Sequence, residues 1–153
     1  MRKIKTLNIL FLLALTTLFS AQAIAKGPVY TSFTGKAIKG YDVVAYFTEN
    51  KPVKGSKEFS HEWNSATWLF SSSENLAKFK AAPENFAPQY GGYCAYAVSQ
   101  GYTASVDPTQ FTVLDGKLYL NYNKSVNKKW TANRDAFIVD ANNNWPGILA
   151  GLK

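Results

Sequence analysis

The chain has 153 residues, 17 Lys plus Arg against 10 Asp plus Glu, a formal net charge of +7 and 15% aromatic residues. That length suits one domain with a single core and does not comfortably hold two. The lysines are scattered and never form a run of five or more like charges, which argues against the footprint of a nucleic-acid binder, and a lone cysteine excludes an internal disulfide framework.

The first segment reads as an export signal. Arg2, Lys3 and Lys5 precede the apolar run Ile9 to Leu15, and Ala23-Ile24-Ala25 supplies the small residues of a cleavage site, so residues 1–25 are expected to be removed. The run is too short to span a bilayer, which takes roughly 20 apolar residues, and no later stretch approaches that length. The expectation is therefore a soluble periplasmic or secreted protein, residues 26–153, forming one domain with no transmembrane segment. Losing the signal lowers the formal charge from +7 to +4. All four Trp, all nine Tyr and eight of the ten Phe remain in that part, so large rings must dominate any core or pocket.

Lys26 to Lys39 predicts an extended lead-in. Asp42 to Phe47, apolar and rich in β-branched and aromatic residues, predicts a buried strand. Phe59 to Trp63 and Ala66 to Phe70 predict a hairpin across Asn64-Ser65, with Phe59, His61 and Trp63 on one face. Ser71-Ser72-Ser73-Glu74 fits a capping box with Ser71 as the cap, predicting a helix over 72–81 with Leu76 and Phe79 inward. Tyr90 to Ser99, with its small residues, predicts a short helix. Asp115-Gly116 between Phe111–Leu114 and Lys117–Tyr122 predicts a second hairpin. Asn123 and Asn133 are expected to cap two helices carrying Val126 and Trp130, then Phe137 and Ile138, and Trp145-Pro146-Gly147 to close the fold. Hairpins and separate helices without strand–helix alternation imply an α+β fold, a small antiparallel sheet packed against several short helices.

The order of these pieces resembles the YHS domain family in an exported, single-domain form. The resemblance is carried by Gly40-Tyr41-Asp42 with Val44 to Phe47, by Ala66 to Phe70, and by Asn75 to Phe79 with Pro83 and Phe86. It continues through Pro88 to Ala95, Asp107-Pro108 and Asp115 to Asn121. It implies a small α+β module associated with metal handling, whose metal-binding members use cysteines around a strand-to-helix turn. Where those cysteines would stand, this chain has Ser71 and Asn75. Neither hydroxyl nor amide deprotonates to a polarizable anion, so they do not replace thiolates for a soft metal.

Other chemistry must come from elsewhere. Cys94 and His61 are the one thiol and the one imidazole, a pair that Cu(I) accepts, and the expectation from them is about one equivalent of Cu(I), lost on Cys94→Ala. A thiol-dependent enzyme is the alternative, with Cys94 as nucleophile, His61 as base, and a helix start at Tyr93 or Cys94 lowering the thiol pKa. A third reading is a ligand-binding or protein-interaction module without metal, with Tyr93, Tyr90, Trp63 and Trp68 lining the pocket. The residues name no protein partner.

Overall fold

The computed structural model describes residues 26–152, so the export segment read at 1–25 lies outside the described residues. The lead-in is extended, as its composition implies, and turns back on itself at Ser32–Gly35, where the Gly35 amide donates to the Ser32 carbonyl at 2.9 Å. The strand expected over 42–47 does not form. Asp42 Oδ1 accepts from the amides of Val44 (2.9 Å) and Ala45 (3.3 Å), using donors that a strand ladder would need, and the chain enters helix α1 at Ala45–Thr48. Val43 and Val44 are buried at this turn, so their hydrophobicity reported burial rather than extended backbone.

Strands β1 (Ser56–Trp63) and β2 (Ala66–Phe70) pair antiparallel, with Trp63 opposite Ala66 and His61 opposite Trp68. Asn64 and Ser65 both take positive φ, 50° and 61°, as a two-residue turn of this hand requires. Phe59, His61 and Trp63 share the half-buried face while Ser60 and Glu62 point to water. Helix α2 (Ser73–Ala81) follows, but its cap is Ser72, whose Oγ accepts from the Asn75 amide at 3.1 Å; Ser71 is turned elsewhere. Phe79 on α2 sits among the rings of Trp63, Trp68 and Phe70, centroids 5.0–5.7 Å away. Burying such a side chain contributes about 1.5–3 kcal/mol.

A tight turn at Gln89–Gly92 leads into the short helix α3 (Ala95–Ser99). Gly91 has φ +60°, and a Cβ there would lie 2.0 Å from the Pro28 carbonyl oxygen, so the lead-in can cross only over a glycine. Strands β3 (Asp107–Leu114) and β4 (Lys117–Asn121) form the second hairpin, with Asp115 and Gly116 at φ 49° and 70°. The result is α+β, with two separate two-stranded antiparallel sheets in place of one small sheet.

Helix α4 (Lys124–Ala132) is capped by Asn123, whose side chain accepts from the Val126 amide at 2.9 Å. Helix α5 (Arg134–Gly151) starts after Asn133, which makes no side-chain cap bond. It continues through Trp145-Pro146-Gly147, the segment read as closing the fold, to Gly151. Pro146 deprives only its own turn of an amide, and the flanking residues are exposed enough for water to serve the freed carbonyl. Asn144 on α5 donates to the Val98 and Ser99 carbonyls (3.1 and 3.0 Å), satisfying the open C-terminal end of α3 and tying the two helices together. Among the described residues, no helix is long and apolar enough to cross a membrane.

Burial pushes the Tyr46 phenol far above its ordinary range, reinforced by Tyr41, Asp107 and Asp42 nearby, while its hydroxyl donates to the Pro108 carbonyl at 2.8 Å. Burial and the neighbouring Tyr119 do the same to Tyr90. An unfolded phenol titrates near pH ~10, so above that pH the folded state holds more protons than the unfolded one and stability falls as pH rises. The urea midpoint is expected to be flat from about pH 7 to 9 and to drop steeply beyond about pH 10. A midpoint unchanged at pH 11 would show that these phenols ionise freely in the fold.

Candidate functional site

At the strand-to-helix turn between β2 and α2 the centre is Asp42, fully buried. Its Oδ2 accepts from the Ser71 amide (2.8 Å), the Ser71 hydroxyl (2.6 Å) and Asn75 Nδ2 (2.7 Å), while Oδ1 holds the start of α1. Charge-assisted hydrogen bonds of this kind compensate a buried carboxylate that has no cation beside it. Ser71 and Asn75, read from the sequence as a cap and a lost ligand position, thus share one job: both present donors to the same oxygen.

Cys94 stands at the N-terminal boundary of α3 and is 1% exposed. Its Sγ lies 3.6 Å from Asn121 Oδ1, a buried amide oxygen that also accepts from the Tyr96 amide at 3.2 Å. The thiol is the donor in that pair. Burial pushes the Cys94 thiol up, with only partial relief from the backbone around Ala97, Tyr122 and Tyr96. The expected lowering by a helix start is therefore corrected. α3 has five residues, too few to offset desolvation, and an amide oxygen faces the sulfur where an anion would need donors. A cavity of about 220 Å³, walled in part by Tyr96, Tyr102 and Tyr122, reaches Cys94 at its floor.

His61 lies on β1 with its ring 6.3 Å from that of Phe79, half-buried and edge-on. Among the described residues no hydrogen bond, ring contact or cavity joins it to Cys94, and no three His, Cys, Asp or Glu residues are placed to share a metal ion.

The four aromatic pocket residues separate as well. Trp68 is buried and its indole donates to the Trp63 carbonyl at 2.9 Å. Trp63 and Tyr90 line a groove shared with Trp145. Tyr93, anchored by its hydroxyl to the Gly27 carbonyl at 2.8 Å, lines a cavity of about 370 Å³, where Tyr30 meets it edge-on at 5.7 Å. The turn Ser32–Gly35 forms one wall, Thr103–Ser105 another, and Lys26 lies at the mouth with Nζ on Thr103 Oγ1 at 3.1 Å. Tyr30 and Phe33 were missed in the sequence because that stretch reads only as a lead-in. The available signal was two large rings within an otherwise small, polar segment.

With this geometry in view, residues 44–90 match the family model described as YHS domain. That stretch, about a third of the chain, is similar to the YHS domain. No curated protein and no solved structure matches the chain. The YHS match takes in Ser71 and Asn75 but begins after Asp42 and ends before Cys94.

The thiolate metal site that the YHS resemblance implies does not fit the residues present. The turn offers a hydroxyl and an amide whose donors already converge on Asp42, and a soft metal would find no sulfur there. What the arrangement does is fasten α1, β2 and α2 at one point. Asp42→Ala leaves the Ser71 and Asn75 donors unserved inside the protein, and the expected loss is about 3–5 kcal/mol in urea unfolding. Asp42→Asn, which turns a donor toward donors, is expected to lose nearly as much. A loss below about 1 kcal/mol for either would mean that water replaces the carboxylate at little cost.

Proposed function

We propose that the protein is a non-catalytic binding module of the cell envelope that takes a small aromatic acid in the cleft between Tyr30 and Tyr93. The observation that carries this reading is Phe33. It is 94% exposed within the Ser32–Gly35 turn, yet it lines the cavity of about 370 Å³. A phenyl ring held in water contributes nothing to folding, and a planar ligand between Phe33 and the two tyrosines would cover it. The Lys26 ammonium at the mouth supplies the charge that a carboxylate would meet. Export through residues 1–25 belongs to the same proposal.

Catalysis at Cys94 is disfavoured by a thiol that burial pushes toward its protonated form and that, among the described residues, bonds an amide oxygen and no base. Cu(I) held jointly by Cys94 and His61 is disfavoured by their separate surroundings.

Titration of the purified protein with 2-naphthoate, followed by ligand-detected NMR, is expected to show saturable binding. Phe33→Ala should weaken it about tenfold while leaving the melting temperature unchanged. Binding that ignores Phe33→Ala, or none at all, would remove this cleft from consideration. Titration with Cu(I) under reducing conditions is expected to show no stoichiometric uptake. One tight equivalent lost on Cys94→Ala would put the metal reading in its place.

A further inference from the structure

Two cavities, of about 180 and 340 Å³, adjoin through shared walls at Ala87, Pro88 and Gly91, and both are lined by Trp63 and Trp145. No residue of this groove lines the Tyr30–Tyr93 cleft. Both indoles are half-exposed and both are held from behind. Trp63 is edge-on to Phe79 (5.7 Å, 89°) and Trp68 (5.8 Å, 61°), and Trp145 packs on Tyr90 (6.0 Å, 66°) and Tyr93 (6.3 Å, 47°). The groove therefore presents apolar plates whose orientation is set before anything binds, which lowers the ordering cost of binding.

The rim is polar and unspent. Tyr90 donates to Asn142 Oδ1 at 3.0 Å, which leaves the Asn142 amide hydrogens free for a ligand. The Gln89 and Glu84 side chains and the indole N–H groups of Trp63 and Trp145 bond no protein group among the described residues. No Lys, Arg or His lines either cavity, and Glu84 adds a negative charge, so an anionic ligand is refused.

We infer that this groove is a carbohydrate-binding site for a neutral oligosaccharide. A pyranose ring has an apolar face for an indole and a rim of hydroxyls that both donate and accept, matching the mixed donors and acceptors around the plates. A proline-rich peptide offers carbonyl acceptors but few donors, and would leave the Glu84 carboxylate and the Gln89 carbonyl unserved. Adjoining cavities with shared walls suit linked rings better than a single monosaccharide.

The purified protein is titrated with maltotriose, cellotriose and chitotriose, reading tryptophan emission and ligand-detected NMR. A saturable emission change with at least one trisaccharide is expected. Trp145→Ala should weaken it at least about tenfold and Trp145→Phe much less, because the phenyl still offers a stacking face. Glu84→Ala, at an exposed position with no fold to lose, should weaken sugar binding several-fold without shifting the melting temperature, which keeps the test valid if Trp145→Ala unfolds. Val139→Ser, on an exposed face away from both cavities, should change nothing. No saturable response to any trisaccharide, indifference to both Trp145→Ala and Glu84→Ala, or the same Trp145-dependent response to a polyproline peptide would overturn the assignment. Because 2-naphthoate occupies a different cleft, either site can fail without the other.

Discussion

A single buried carboxylate ties together the chain segments around the turn between β2 and α2. Asp42 binds the first amides of α1 with one oxygen, and the Ser71 and Asn75 donors with the other. It is fully buried, and its two oxygens are served between them by donors from three places in the chain: the start of α1, the turn after β2, and α2. The dependence runs in both directions. The donors need the carboxylate as much as it needs them, and the geometry of the strand-to-helix turn follows. A site at which thiolates could have gripped a metal is in this chain a structural knot.

The same dry interior decides which groups can react. Cys94, Tyr46 and Tyr90 all hold their protons more tightly than in water, because each sits where an anion would be poorly solvated. None of these three groups offers a ready anion as a nucleophile. The proposed recognition clefts are instead lined by half-buried rings and polar tips, and both draw on the Gly27–Tyr30 stretch of the lead-in.

Much of the fold was legible in the sequence wherever the signal was local. Alternation in Phe59 to Trp63, the Asp115-Gly116 turn and the Asn123 cap each rest on a few adjacent residues, and each appears as read. The misreadings share a different cause. Asp42 to Phe47 looked like a strand because its burial was visible and the reach of the Asp42 side chain back to its own backbone was not. Ser71 looked like a cap because the carboxylate it serves lies 29 positions earlier in the chain. That Pro146 lies inside α5 was equally hidden, since its cost depends on whether water can reach the freed carbonyl, a tertiary fact. The candidate site was least legible of all. Tyr93 and Trp63 were picked for their size, but which rings share a cavity depends on how the lead-in crosses Gly91.

The burial of Cys94 also sets how the molecule ages. Met1 is the only methionine, so from Lys26 onward that thiol is the sole sulfur, and almost none of its residue's surface meets solvent. An oxidant meeting the folded surface encounters no thioether and no thiolate, the groups that ordinarily take damage first. The rings of Trp63 and Trp145 are what it meets instead, so chemical wear would register first as a change in indole absorption while the scaffold beneath stays whole.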